Sequence, residues 1–529
     1  TTTPTTTLTF TTGNWDTAQT LTVTAVDDSG YDSTHYTKIY HTASSTDGNY
    51  NAISIADVTV TITDNDALAG DYIDDGDTLG GFGGGTTTSI QWSTSSWWME
   101  MTGTGLTAGV ATHTSRIMDA GSALSWNTLS WVPLRPLTKE LPDSMATETA
   151  YTDGNVGMGN NVGLWHFNES SWSGVADEVT DSSGNGNHGV RSGDATTIAS
   201  GKFDRAGTFD GTGDDILVGS LGTFLSGIDD GFTASFWTKW DHSNAWGSFL
   251  GGSNDGATES FHIFGNRDGG ANTDAGEIAF WFKSGGLALS GGTGNGAAAE
   301  INKNDGEWHH ILLTASSISS GAMTLYVDGV SQTLDFWNSN TRTFSDNFEN
   351  FAIGGRYNGS TDLVEKPMAA DIDEVALLNK TVTASEVLDL YRRGVRNLKF
   401  QVRSCDDGAC SGESFMGPDG TATTYYTEST TSSLGLPAKT LFNVTANRYF
   451  QYQAIFETSS STLNVELDSV TLAASAGPGV TLSETTQSAT EGGVSDTYTV
   501  VLDAAPTANV DIALNFSNGE ATTTPTSTL

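Results

Sequence analysis

Apolar residues alternate with threonine along much of this chain, and that period of two constrains its fold more than any other feature. Leu21-Thr-Val-Thr-Ala-Val26 and Val58-Thr-Val-Thr-Ile62 are clear cases. Successive side chains of an extended strand point to opposite faces, so such runs read as half-buried antiparallel strands. Glycine, asparagine, aspartate and serine punctuate them at turn spacing. One segment departs from the pattern. Across 384–393, Val387, Leu388 and Tyr391 share a helical face, Thr383 stands where an N-cap is needed, and Gly394 where the helix would end. The expected fold class is all-β.

Charge narrows the partners. The 529 residues include 22 Lys and Arg against 63 Asp and Glu, a formal net charge of −41. Such a surface repels phosphate backbones and anionic membranes, so neither nucleic-acid binding nor membrane insertion is expected. It also repels itself unless cations neutralise clustered carboxylates, which makes Ca2+ the expected cofactor. Acidity of this order can mean disorder, but 10% aromatic residues and 14 Trp argue for packed cores. The two cysteines, Cys405 and Cys410 in SCDDGAC, are close enough to close a small loop in an oxidising compartment.

The octamer that ends the chain, TTTPTSTL, nearly repeats the one that begins it, TTTPTTTL. Residues 9–66, TFTTGNWDTAQTLTVTAVDD…ITDND, resemble the second half of a Calx-β-type repeat. Residues 479–529, with VTLSETTQSATEGGVSDTYTVVLDAAPTANV, resemble its first half. In that family a seven-stranded immunoglobulin-like sandwich opens with a Glu-Gly step and ends in an acidic cap. The corresponding motifs here are Glu491-Gly492 and Asp64-Asn65-Asp66. The expectation is a tandem array, with 1–67 and 479–529 as halves of successive sandwiches completed by neighbouring copies of the same repeat.

Residues 159–394 resemble a laminin-G-like jelly roll of the concanavalin type. VGLWHFNES, DSSGNGNHG, TFDGTGDDILV, FTASFWTKW, EWHHILLT, LYVDG and IDEVALLNKTVTASEVLDLYRRG follow that family's order. The flanks, 70–155 and 395–476, are rich in strand and carry Trp92, Trp97, Trp98, Trp126 and Trp131. Neither flank has enough strands for a sandwich. Together they are expected to form one split β-sandwich, with the jelly roll inserted in a loop. The full expectation is tandem β-sandwiches with an inserted laminin-G-like jelly roll.

Candidate sites follow. Strand ends at one pole of a sandwich would gather Asp27, Asp28, Asp64, Asp66 and Glu491; the Calx-β resemblance implies Ca2+ there, which needs six to eight oxygens. The jelly-roll resemblance implies a structural Ca2+ near Asp181, Asn185 and Asn187, with Asp371 and Asp373 before the last strand; Asp214 and Asp215 lie instead near a glycan-facing edge. A retaining glycosidase on this fold would need two carboxylates about 5–5.5 Å apart. The nearest stretch, Asp371-Ile-Asp373-Glu374-Val-Ala376, has Ala376 where the acid should stand, so no enzyme activity is expected. Neighbouring His309 and His310 point to opposite strand faces, which rules out a shared metal. Sugar binding wants an aromatic platform, and Trp246, Trp281, Phe282 and Trp337 are available, without any sequence signal for which faces outward.

The expected function is the non-enzymatic repeat unit of a long extracellular fibre or surface filament, stiffened by Ca2+ and carrying a lectin-like lobe. The alternative is a monomeric, stalk-like adhesin of the cell surface that binds carbohydrate through the jelly roll.

Overall fold

The computed structural model describes residues 71–75, 82–92, 98–221, 231–241, 247–253, 260–265, 278–283, 295–299, 303–316, 323–338, 350–428 and 434–476, with short stretches of 2–62 and 480–502. Nearly all of it is β-structure, in several antiparallel sheets. In the terminal stretches Thr2–Thr3 pairs with Thr22–Val23, His35–Ile39 with Val58–Ile62, and Val480–Leu482 with Val500–Leu502.

Ten strands from the two flanks, 71–133 and 396–476, form one sheet around one core. Two long strands hold it together. Met118–Pro133 runs beside Glu466–Ala476, and Asn447–Thr458 pairs with Arg396–Cys405 on one edge and Val110–Thr114 on the other. A register shift between Trp126 and Thr128 breaks the alternation and lets Trp126 share the inner face with Leu129 and Trp131, where Trp131 meets Phe400 at 4.6 Å and Trp126 meets Phe450 at 4.7 Å between ring centroids. Cys405 and Cys410 are joined in a disulfide, their Cα atoms 5.1 Å apart.

Between these flanks lies a jelly roll of two eight-stranded sheets. The near sheet contains Asn161–Trp165, Phe232–Lys239, Trp308–Ala315 and Ala369–Leu378; the far sheet contains Ser248–Ser253, Ser260–Gly265, Ile278–Lys283 and Asn350–Ile353. Phe232, Phe236, Ile311 and Leu313 from the first interleave with Phe249, Ile263, Phe280 and Ile353 from the second. Each such side chain contributes about 1.5–3 kcal/mol by leaving water, so this core fixes the two sheets face to face.

The near sheet's outer face is covered by the helix Ala384–Val395 and by the segment that enters the jelly roll. Val387 and Leu390 pack with Leu312, Ala376 and Leu378 from the sheet, and with Leu141, Val156 and Met158 from the segment. Thr383 caps the helix and forms a capping box with Glu386. Two sequence expectations shift. Leu390 rather than Leu388 is the deeply buried leucine, and Gly394 does not end the helix. Gly394 sits inside it because a Cβ there would overlap the Trp237 indole. The helix then passes directly into the flank strand Arg396–Cys405.

Buried charges lock this junction. Arg393 pairs with Glu148, both sequestered from solvent, and also donates to the carbonyl of Glu140 at 3.1 Å. Lys139 Nζ reaches Glu148 Oε1 at 3.3 Å and donates to the Tyr151 hydroxyl at 2.6 Å; that hydroxyl donates in turn to Glu428. Breaking one such buried pair typically costs about 3–5 kcal/mol, because it strands the partner's charge.

Candidate functional site

Two groups of polar side chains stand out in the jelly roll, one at the junction and one on the far sheet. The first begins with a strand irregularity. Along Ala369–Leu378 the register against Phe232–Lys239 shifts between Ser235 and Trp237, and Glu374 sits opposite that shift with φ 51°. This is a bulge, in which one extra residue re-aims its neighbours. Asp373 accepts from the backbone N–H groups of Lys202 at 2.7 Å and Phe203 at 3.0 Å. Glu374 accepts from the Leu141 N–H at 3.1 Å and meets His166 Nδ1. His166 Nε2 donates to Asp143 at 2.9 Å, while Asn168 donates to Glu140 at 2.6 Å.

Glu140, His166 and Glu374 thus each place a ligand atom within 4.8 Å of the others. Burial, followed by the charge of Glu374, raises Glu140 to about 7. Burial opposes a charged His166, but Glu374, Asp143 and Glu140 outweigh it and hold the imidazole well above its usual range. Burial and then Glu374 push Asp373 well above the carboxylate range, and its Oδ1 has no hydrogen-bond partner. The donor set is two carboxylates and an imidazole whose nitrogens both face carboxylates, a poor match for Ca2+, which takes six to eight oxygens. A second group, Asp194, Asp210 and Asp214, offers carboxylates alone, although Asp214 already ties the Asp194 and Asp210 N–H groups at 2.8 and 3.1 Å. Either group has the composition to hold a divalent ion.

The sequence-predicted metal residues are placed differently. Asp27, Asp28, Asp64, Asp66 and Glu491 lie outside the described residues. Asp181 and Asn187 are brought together, but as a braced turn. Asp181 accepts from the N–H groups of Leu164, Ser183 and Asn187 and from the Ser183 hydroxyl, at 2.8–3.0 Å. Asn185 and Asn187 donate to the carbonyl of Val162. Asp373 instead faces the 202–203 turn, and neither of the two clusters contains Asp181 or Asp373. His309 and His310 point opposite ways, to Asp305 and Asp328 and to Ser235 respectively.

The far sheet supplies the second group. Ser260–Gly265 pairs with Ile278–Lys283 so that Phe261 opposes Phe282, His262 opposes Trp281, and Ile263 opposes Phe280. The phenylalanines and Ile263 enter the core; His262, Phe264 and Trp281 share the outer face. His262 stacks on Phe264 at 4.5 Å and lies 5.5 Å from Trp281. Gly251 on the adjoining strand leaves room for it, since a Cβ there would overlap His262 Cβ. His262 is 2% exposed, yet neither ring nitrogen has a hydrogen-bond partner, and the Trp281 indole N–H has none either. Burial, then Arg356 and Lys366, hold the imidazole well below its usual range, so it is neutral: one donor and one acceptor. The hairpin pairing Arg356–Asn358 with Leu363–Glu365 borders this face, and Glu365 accepts from Arg356 and Asn358, both at 2.8 Å.

Of the four aromatics available in the sequence, Phe282 is core and Trp281 faces outward, while the side chains of Trp246 and Trp337 lie outside the described residues. His262 was missed. Its signal was present in Phe261-His-Ile-Phe264, where a polar residue takes an outward position between two inward ones. Glu140 was missed as well, because only folding brings it to Glu374.

Residues 210–388 match the family model described as the concanavalin A-like lectin/glucanases superfamily. No curated protein matches the chain. Among solved structures, domain 4 of AbnA, a GH43 extracellular arabinanase from Geobacillus stearothermophilus in complex with arabinotriose, is 18% identical with a TM-score of 0.33, covering 44% of this chain and 98% of that one. The binding domain of Paraclostridial Mosquitocidal Protein 1 is 14% identical with a TM-score of 0.33, covering 47% and 61%. A SAP-like pentraxin from Limulus polyphemus is 13% identical with a TM-score of 0.25, covering 34% and 78%. Over the matched stretch the chain is a two-sheeted β jelly roll, the stretch that this family model covers.

Proposed function

We propose that residues 159–394 are the carbohydrate-binding lobe of a stalk-like adhesin at the cell surface or outside the cell, carried on a split sandwich of 70–155 and 395–476. The observation that carries this reading is the outer face of the far sheet. There a neutral, buried His262 and the half-buried Trp281 indole keep three hydrogen-bonding nitrogens without partners, next to the buried Phe264 ring. Unpaired buried polar groups cost roughly 1–3 kcal/mol each, so a native protein keeps them where something else satisfies them. Sugars suit such a place: their C–H faces stack on aromatic rings, and their hydroxyls both donate and accept. The disulfide fits an oxidising compartment. Among the described residues no helix is long and apolar enough to cross a membrane.

Screening the chain and Trp281→Ala against immobilised glycans tests the reading. The expected result is binding that falls about tenfold or more in the variant. Binding to no glycan, or binding untouched by the substitution, overturns it.

Ca2+ belongs to this proposal at Asp194, Asp210 and Asp214, whose all-oxygen donors suit a hard cation, and at Asp27, Asp28, Asp64, Asp66 and Glu491. It does not extend to Asp181 and Asn187: four donors already engage the Asp181 oxygens, and Asn187 takes part in the same turn. Equal melting in Ca2+ and in EDTA would remove the ion from the account.

A further inference from the structure

The last strand of the jelly roll turns two acidic side chains to one face. Ile372 and Val375 both enter the core between the sheets, so the bulge leaves Asp373 and Glu374 together on the outer face, under the segment that enters the lobe. There Glu374 meets Glu140 from that segment and His166 from just beyond the first strand, Asn161–Trp165. Their ligand atoms lie within 4.8 Å of one another, and all three residues are buried. Each is also held from behind. Asn168 donates to Glu140 Oε1 at 2.6 Å, the Leu141 N–H to Glu374 Oε2 at 3.1 Å, and His166 Nε2 to Asp143 at 2.9 Å, which leaves His166 Nδ1 facing Glu374 Oε1. A metal-binding histidine is held in this way, with one ring nitrogen on the ion and the other N–H on a carboxylate. A fourth group shares the face. Asp373 is fully buried, accepts the Lys202 and Phe203 N–H groups at Oδ2, and keeps Oδ1 without a partner. The cations of the junction serve other groups: Arg393 and Lys139 pair with Glu148, and the Lys202 ammonium lies over the Trp237 ring at 4.5 Å.

We propose that Glu140, His166 and Glu374 bind one Zn2+ as a clip between the lobe and the segment that leads into it, with Asp373 Oδ1 accepting from a water on the ion. The donor set selects the metal. One imidazole and two carboxylates suit zinc, whose bonds to such atoms run about 2.0–2.2 Å, whereas Ca2+ wants six to eight oxygens. The site is separate from the proposed Ca2+ positions and from the carbohydrate face, so it stands or falls independently of both. Glu140 and His166 also lie outside the stretch that the family model covers, which makes the clip a feature of how this lobe joins its host. In the metal-free chain protons serve these atoms; the ion displaces them, so uptake strengthens as pH rises. Because the ion joins groups brought together only by folding, its binding energy adds to the stability of the junction.

The test uses the full chain, stripped by chelator and titrated with Zn2+ alone, then with Co2+ as a spectroscopic substitute. One Zn2+ per chain is expected to survive desalting, and Co2+ to give the visible absorption bands of a site with fewer than six ligands. Glu140→Gln keeps the shape of the side chain and its bond from Asn168, and is expected to lose both the retained ion and the bands, as is His166→Gln. Asp143→Asn leaves the three ligands in place and is expected to weaken Zn2+ about 10–100-fold. Asp194→Asn, in the other carboxylate group, should change none of these readouts. Should His166→Gln fail to fold by circular dichroism, Glu140→Gln and Asp143→Asn carry the test. A chain that retains no Zn2+, one whose Zn2+ survives Glu140→Gln undiminished, or one from which Ca2+ at equal concentration displaces the ion overturns the proposal.

Discussion

Glu140, His166 and Glu428 each hold a proton more tightly in the folded chain than in water. Burial and Glu374 raise Glu140 to about 7, and burial raises Glu428 to about 7 against the opposing pull of Tyr151 and Lys139. His166 is held well above its ordinary range by its carboxylates despite its burial. Unfolded glutamates release their protons near pH 4.3, so from about pH 4.5 to 7 the native state binds more protons than the unfolded one. Stability therefore falls as pH rises through that window, and the His166 contribution, fully present below about 6.5, is lost at still higher pH. Asp328 works the other way. Burial would raise it, but His309 and Lys303 outweigh that and hold it at about 2, so its contribution is present above about pH 3.9 and fades only as pH falls toward 2. The melting temperature is expected to be higher at pH 5 than at pH 8, with a shallower slope in Glu428→Gln. A melting temperature that climbs from pH 5 to pH 8 would show these protons are not held as the geometry requires. None of this is visible in the sequence, because Glu140 meets Glu374, and Glu428 meets Leu137 and Tyr151, across more than two hundred residues.

At the scale of elements, the helix Ala384–Val395 shows what a sequence pattern carries and where it stops. Its start was legible: Thr383 and Glu386 have capping-box spacing, and the box forms. Its end was not, because Gly394 has the identity of a terminator but the role of a spacer under Trp237. Gly394→Ala separates the two. Helix propensity alone favours alanine by about 1 kcal/mol. Overpacking against an indole held between Phe203, His310 and Tyr391 costs about 1–3 kcal/mol. The clash should win, and the variant is expected to melt several degrees lower; a rise in melting temperature would return Gly394 to the role of terminator. Strands were read more safely, since alternation in Leu129-Ser-Trp131 or Phe261-His-Ile263 names the buried face directly. Pairing partners and bulges were beyond that reading. The bulge at Glu374 depends on how two distant strands meet, and it decides where Asp373 and Glu374 point.

For the whole molecule, charge and connectivity matter most. With a net charge of −41, any ion bound only by the native state stabilises it, by about 2.7 kcal/mol at a hundredfold excess over Kd. Thermal unfolding of the chain in Ca2+ is therefore expected to lie above that in EDTA, and Asp194→Asn should narrow the gap; coincident curves would leave the acids as surface charge. The flank sheet carries a consequence of another kind. The strand by which the chain enters it, Asp71–Asp75, lies antiparallel beside the strand by which the chain leaves, with Asp71 opposite Ala473 and Asp75 opposite Ser469. Entry and exit are thus at the same end of the sheet, and everything between, the jelly roll included, hangs to one side like a pendant on a cord. A pull along the chain would load that pair of strands as a zipper, one hydrogen bond after another, while the lobe and its binding face remained out of the line of tension.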